Sequence, residues 1–330
     1  MLFDPLRLRD CEMRNRILMS PMSQHRAGEN GLPTDWHLAH YGSRAAGGCG
    51  AILLEDTAVA PAARTSHAAL GLYDEEGLQA FRRVVEFCHE QGAAVGVQLA
   101  HAGRKAFRDT RGAEGSLSAS AQAFAEGWSI PLPADARTLE DIVASFAAAA
   151  ALALRAGFDF VEVHAAHGYL LQQFLSPLTN LRSDGYGGDL HGRARLLLEV
   201  VEGVRLQWPQ ERPLLVRLPA GDGGSAGSTV AEMAEVAGWC GERGADLIDI
   251  AGGTPVFEGE RVSFEEMLAF ARMLRASSSA IPFALGGVTD ALAAEELLRC
   301  SGAALLSVGR ALLANPSWAL AAASELGVAR

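Results

Sequence analysis

The chain has 330 residues, a mass of 34.8 kDa and a formal charge of −11, a length that fits either two domains or one α/β barrel. With 49% hydrophobic and 20% charged residues it has the balance of a globular protein, and its most apolar run, Ala147 to Leu154, is far shorter than the roughly 18 residues of a membrane span. The acidic balance argues against nucleic acid and anionic membrane as partners, because both need a positive footprint.

The first residues, Met1-Leu2-Phe3-Asp4-Pro5-Leu6-Arg7, lack the charged start and apolar centre of a signal peptide, so a cytoplasmic protein is expected. Cys11, Cys49, Cys88, Cys240 and Cys300 are isolated, which gives no Cys-x-x-Cys site and no disulfide framework. Short apolar runs then alternate with longer amphipathic segments. Strands are predicted to begin near Ile17, Ala51, Ala94, Phe158, Leu214, Asp246, Pro282 and Ala304, with helices between them such as Glu76 to Gln91 and Thr229 to Arg243. Eight βα units predict an α/β fold, a single-domain (β/α)8 TIM barrel over residues 1–330. A doubly wound sheet is the competitor, but its Gly-x-Gly-x-x-Gly turn is missing. The stretch from about 102 to 138 breaks the rhythm. Its Gly, Ser, Pro and Ala content, with Phe107, Phe124 and Trp128, predicts a capping insertion after the third strand, a loop or small hairpin over the barrel mouth.

In such barrels the active site lies at the carboxyl ends of the strands. Those ends read Ser20-Pro21-Met22-Ser23, Glu55-Asp56-Thr57, Gln98, His164 with His167, Arg217, Asp249, Gly286-Gly287 and Gly309-Arg310. Loops after the seventh and eighth strands commonly cradle phosphate, glycines admitting backbone N–H groups and an arginine supplying charge. Gly286, Gly287, Gly309 and Arg310 meet that specification. Gln98 and Arg217 fall on interior faces, and an interior arginine requires an anion, supplied either by a ligand or by a structural pairing with Glu162. Alternation along Phe160-Val161-Glu162-Val163 sets Val161 and Val163 on one face and Glu162 and His164 on the other. Beyond that strand, His164, His167 and Tyr169 concentrate two imidazoles and a phenol.

Several stretches together resemble the old yellow enzyme family of FMN-dependent ene-reductases, especially its bacterial branch with two histidines. They are Leu2-Phe3-Asp4-Pro5-Leu6, Asn15-Arg16-Ile17, Ser20-Pro21-Met22, Asp35-Trp36-His37-Leu38-Ala39-His40-Tyr41, Gln98-Leu99-Ala100-His101-Ala102-Gly103-Arg104-Lys105, the run from His164 to Pro177, Asn180 to Gly188, and Gly309 to Pro316. The resemblance covers nearly the whole chain. It implies a noncovalent FMN reduced by NADH or NADPH, and a small electrophilic alkene as substrate. Position by position it implies that Pro21, Met22, Ser23, Gln98 and Arg217 contact the isoalloxazine ring, with Asp56 beside it. Gly286, Gly287, Gly309 and Arg310 would hold the phosphate. His164 and His167 would bind the substrate carbonyl, and Tyr169 would donate a proton.

The chain departs from that branch at four places. Ser23 stands where a cysteine normally follows Pro-Met, and His25 where a tyrosine projects into the substrate pocket. A serine hydroxyl can still reach a flavin carbonyl, so cofactor binding is expected with an altered potential. Asp56 stands where relatives carry a small apolar residue, and alternation admits only one of Glu55 and Asp56 to the interior. The end, Leu326-Gly327-Val328-Ala329-Arg330, lacks the Tyr-x-x-Arg tail that reaches a neighbouring subunit, while a homo-oligomer stays compatible with the resemblance. Two other readings share these residues: a flavoenzyme acting oxidatively or on a CoA-linked intermediate, and a flavin-free phosphate-binding lyase or isomerase with His164 and Tyr169 as acid and base.

Overall fold

The apolar runs form eight parallel strands: β1 (Ile17–Met19), β2 (Ala51–Ala58), β3 (Ala94–Ala100), β4 (Phe160–His164), β5 (Leu214–Pro219), β6 (Leu247–Ala251), β7 (Phe283–Gly286) and β8 (Leu305–Val308). They close into a barrel in sequence order, β8 pairing with β1. This architecture comes from a computed structural model that describes residues 1–110, 112, 115–223, 226–252, 256–257, 261–277 and 281–328. It is the predicted (β/α)8 barrel, and the strands begin within two residues of their predicted starts.

Helices follow each strand: α1 (Asp35–Ala46), α2 (Glu75–Glu90), α3 (Ala136–Ala156), α4 (Leu170–Leu175), α5 (Leu190–Gln207), α6 (Val230–Glu242), α7 (Phe264–Ala276), α8 (Ala291–Ser301), α9 (Arg310–Ala314) and α10 (Trp318–Glu325). Local chemistry fixes their starts. Asp74, Asp135 and Asp189 each accept the N–H three residues on, and Thr229 with Glu232 forms a reciprocal capping box. Among the described residues no helix is long and apolar enough to cross a membrane.

Alternation divides the strand residues between two cores. Outward positions such as Ile52, Val97, Val161 and Val216 join the helices in the main core. Inward positions of the lower barrel, including Leu18, Leu53, Phe160, Leu215 and Leu305, form a second cluster with Cys11 and Met13. Those two belong to an N-terminal hairpin, Leu6–Leu8 with Cys11–Met13, that packs against the lower barrel. Gly96 makes room for this plug, since a Cβ there would stand 2.2 Å from the Phe160 ring. With the lower barrel filled by hydrocarbon, the next interior level is polar and underlies the mouth.

The excursion after β3 contains two short strands, Leu117–Ser118 and Leu132–Pro133. They pair in parallel. A hairpin, one of the two forms expected, would be antiparallel, so the chain between them crosses over instead. Asp135 begins α3 at residue 136, which ends the excursion slightly before the predicted 138. Arg182 ties it to the barrel, donating to Ala134 O at 2.7 Å and Ala119 O at 3.3 Å.

Candidate active site

A break in strand register decides which acid enters the barrel. Between Leu54 and Asp56 the pairing of β2 with β3 slips by one residue, so that Asp56 lies beside Gln98. Asp56 therefore continues the interior row. Glu55 faces α1 instead, where its carboxyl accepts from Tyr41 Oη at 2.9 Å and from Gln24 N at 2.6 Å. Burial, reinforced by the charge of Asp56, pushes Glu55 up to about 8. The Asp56 carboxyl is buried and accepts from the Ser23 hydroxyl and, at 2.8 Å, from Thr65 Oγ1. Ser23 itself is exposed. Its one donated proton goes to Asp56 in this structure, in place of the flavin carbonyl anticipated from the sequence. His25 has a left-handed backbone (φ 51°), and its Nδ1 lies 2.8 Å from Ser66 Oγ.

The polar level under the mouth comes from neighbouring strands in register: Gln98 beside Glu162, His164 beside Arg217, and Arg217 beside Asp249. Gln98 Nε2 donates to Glu162 Oε1 at 2.7 Å. Arg217 Nε lies 3.4 Å from Asp249 Oδ2, near enough for an ion pair but without hydrogen-bond geometry. Arg217 is thus paired with Asp249, and Glu162 is taken by Gln98. Burial raises Glu162 to about 8, with Asp249 adding to the effect, and it raises Asp249 as well, against the pull of Arg217. Arg217 Nε and Nη1, Glu162 Oε2 and both Asp249 carboxylate oxygens have no hydrogen-bond partner among the described residues. Each such group costs about 1–3 kcal/mol when left unmet, so a layer of this kind is suited to receive a polar ligand.

The chain leaving β4 turns sharply through two left-handed residues, His167 (φ 58°) and Gly168 (φ 71°). Gln172 and Gln173 on α4 hold the turn, accepting from Gly168 N at 2.7 Å and donating to Gly168 O at 2.8 Å. The turn brings His164 Nε2 within 3.1 Å of His167 Nδ1. Ala166 N donates to His164 Nδ1 at 3.3 Å, which assigns the His164 proton to Nε2 and makes His164 the donor to His167. Burial depresses both imidazoles, His167 to about 3 and His164 far below its ordinary value, with Arg217 and Lys105 adding repulsion. They are neutral hydrogen-bond donors at physiological pH. Tyr169 packs edge-on against His164 at 4.9 Å between ring centroids. Lys105 Nζ donates to His167 O at 2.8 Å and lies 5.6 Å from the centre of the Tyr169 ring.

Above this layer opens a cavity of about 570 Å³. Of the sequence-predicted residues, Pro21, Met22, His167, Arg217, Gly286, Gly287, Gly309 and Arg310 line it. His164, Tyr169, Gln98, Asp56 and Ser23 are not among its lining residues, and His25 turns to Ser66. The glycines are required by close approach. A Cβ on Gly286 would stand 2.4 Å from Ser307 O, and Gly287 has φ 109° with the Phe264 ring 2.9 Å from where its Cβ would be. Ser307, Phe264, Met267 and Thr289 also line the cavity and were not anticipated. Ser307 continues the interior alternation of β8 and was open to that reasoning. Phe264 and Met267 reach the wall through a helix–strand packing that sequence periodicity does not orient.

Residues 1–328 match the family described as NADH:flavin oxidoreductase / NADH oxidase. The chain belongs to this family. It is 41% identical over 327 residues to the NADPH dehydrogenase of Bacillus subtilis (strain 168), covering 98% of this chain and 95% of that protein. Among solved structures, morphinone reductase superposes with a TM-score of 0.84 at 30% identity, covering 99% of this chain and 90% of that one. A 2-naphthoyl-CoA reductase superposes with a TM-score of 0.91 at 23% identity and shows the shared fold; this chain covers 99% of itself there but spans only 52% of that longer chain. The protein is accordingly an old yellow enzyme-type, FMN-dependent NAD(P)H oxidoreductase. The site fits that cofactor on its own terms: the orphaned Arg217 nitrogens offer donors to an electron-rich heterocycle, and the Gly286 and Gly287 cradle is one that a Cβ would fill.

Proposed function

We propose that the protein reduces the C=C bond of a small activated alkene, an enone or quinone, with NAD(P)H as the ultimate donor. When bound and reduced by NAD(P)H, FMN would supply the hydride that the alkene β-carbon accepts. The observation that carries the reading is a pair of neutral histidines, buried His164 and half-buried His167, at a cavity whose floor holds Arg217 Nε and Nη1 without hydrogen-bond partners among the described residues.

Gly286, Gly287, Gly309 and Arg310 would hold the cofactor phosphate, Arg310 adding charge at the exposed rim. Pro21, Met22 and Arg217 would flank the ring, and Gln98, donating through Nε2 to Glu162, would keep its carbonyl oxygen for an N–H. His164 and His167 turn their Nε2–H groups from protein acceptors to the substrate carbonyl. Neutral donors aimed at that oxygen stabilise the enolate charge as it develops, each at a scale of about 3–4 kcal/mol. Tyr169, beside His164, then gives its phenolic proton to the α-carbon and recovers one from solvent. Reductant and alkene share one cavity, so the kinetics are ping-pong. Anaerobic titration tests the reading: NADPH should bleach the flavin absorbance, and one equivalent of 2-cyclohexenone should restore it with formation of cyclohexanone. Bleaching without recovery across a panel of enones, quinones and enoyl thioesters would rule the reading out.

A further inference from the structure

The reaction proposed above has no use for the buried acid Asp56, which the register slip in β2 delivers to the interior row. Asp56 sits in the interior row beside Gln98, buried, with no cation paired to it among the described residues. Among the described residues, these groups face it. Ser23 and His25 approach from the loop after β1, Thr65 from the loop after β2, Gln98 from β3, Glu55 from its own strand, and Tyr41 from α1. Two of these, Ser23 and Thr65, donate hydroxyl protons to its two oxygens. Burial lifts the carboxyl above the ordinary range, while the two hydroxyls and then His25 pull it back. The carboxyl is thus buried, held by two hydroxyls and opposed by burial, so negative charge added nearby bears on its protonation.

Cofactor reduction is such a change, and this step rests on the flavin reading above. Transfer of a hydride from NAD(P)H delivers two electrons and one proton, leaving one extra negative charge in the mouth. A like charge nearby raises the pKa of a carboxyl. We propose that Asp56 is the proton acceptor coupled to reduction of the cofactor, and that Ser23 is its relay. The balance is one solvent proton added to the Asp56 carboxylate for each hydride that enters. Ser23 is exposed and so connects the buried oxygen to water. While Asp56 is ionised, the Ser23 hydroxyl donates to it; Ser23 passes that proton to Asp56 and takes one from water, after which the Asp56 carboxyl donates to Ser23 Oγ and the serine O–H turns to the cavity. A serine can play both parts because a hydroxyl is donor and acceptor at once.

The test is the pH dependence of the midpoint potential of the yellow holoenzyme, measured between pH 5.5 and 9 by anaerobic dye equilibration. For a two-electron couple, each coupled proton contributes about 30 mV per pH unit. The wild type should reach about 60 mV per pH unit in part of this range, two protons per two electrons, while Asp56→Ala and Asp56→Asn stay near 30 mV throughout. NADPH reduction in weak buffer with a pH indicator should show uptake approaching one proton per flavin in the wild type and none in either variant. A wild-type slope near 30 mV across the whole range overturns the proposal, and this outcome needs no variant to fold. Halving of the slope in Glu55→Gln, with Asp56→Ala unchanged from wild type, also overturns it by moving the role to Glu55. Failure of the cofactor reading would look different: protein without flavin absorbance, rather than yellow protein with equal slopes.

Discussion

Replacing Gly286 by alanine puts the proposed phosphate cradle to a quantitative trial. The added Cβ would stand 2.4 Å from Ser307 O, against about 3.4 Å for ordinary contact, so about 1 Å of separation must be found between β7 and β8. Backbone is the obstacle, and Gly286 is paired in register with Ser307, so the two strand ends must part at the place where the Gly287 and Gly309 loops begin. Overpacking of this kind costs about 1–3 kcal/mol. If the strain is relieved by displacing the cradle, FMN affinity should fall about 5- to 140-fold at 1.4 kcal/mol per tenfold. Titration of apoprotein with FMN, followed by flavin fluorescence, measures this directly. Gly77→Ala is the control: its Cβ would meet neighbours no nearer than 3.7 Å in the first turn of α2, and helix propensity favours alanine by up to about 1 kcal/mol. FMN affinity in Gly286→Ala equal to that of the wild type would refute the placement of the phosphate.

The double variant His164→Ala/His167→Ala should lose phenol binding, seen as absence of the long-wavelength charge-transfer band, while retaining most of its FMN; an undiminished band would place the carbonyl elsewhere. Apoprotein stability should decline as pH rises from about 6.5 to 8. Glu55 is held up to about 8, so its contribution is present below the unfolded value near 4.5 and is lost as pH climbs through the folded value. The opposing histidines, His37, His40 and His101 at about 4, act only below about 6.5. Thermal midpoints across that window, with a shallower decline in Glu55→Gln, check the assignment.

How much of this was open to sequence reasoning follows from what determines each feature. Strand starts and the barrel were legible because apolar runs and helical periods are local signals, strengthened by caps such as Asp74 and Thr229. The inward set of β3 to β6, with Gln98, Glu162, Arg217 and Asp249, followed from simple alternation. That rule fails at β2, where the slip after Leu54 turns Asp56 inward and Glu55 toward Tyr41. Pairing was the less legible part: Arg217 faced both Glu162 and a ligand as candidates, and strand register gave it Asp249. The His164–His167 bond depends on two consecutive left-handed residues that glycine alone signals, at Gly168. Ser23 was read as a donor to the cofactor, and only the three-dimensional arrangement shows that its proton is already given to Asp56.

In the proposed reaction, hydride passes from NAD(P)H through the flavin to the β-carbon of an enone bound by the two histidines. NADPH deuterated at C4, given to the enzyme with 2-cyclohexenone in ordinary water, tests this in one product analysis. The account predicts deuterium at the β-carbon and hydrogen at the α-carbon of the cyclohexanone, with the pattern reversed when unlabelled NADPH is used in deuterated water. Deuterium at the α-carbon, or a product labelled only from solvent, would contradict it.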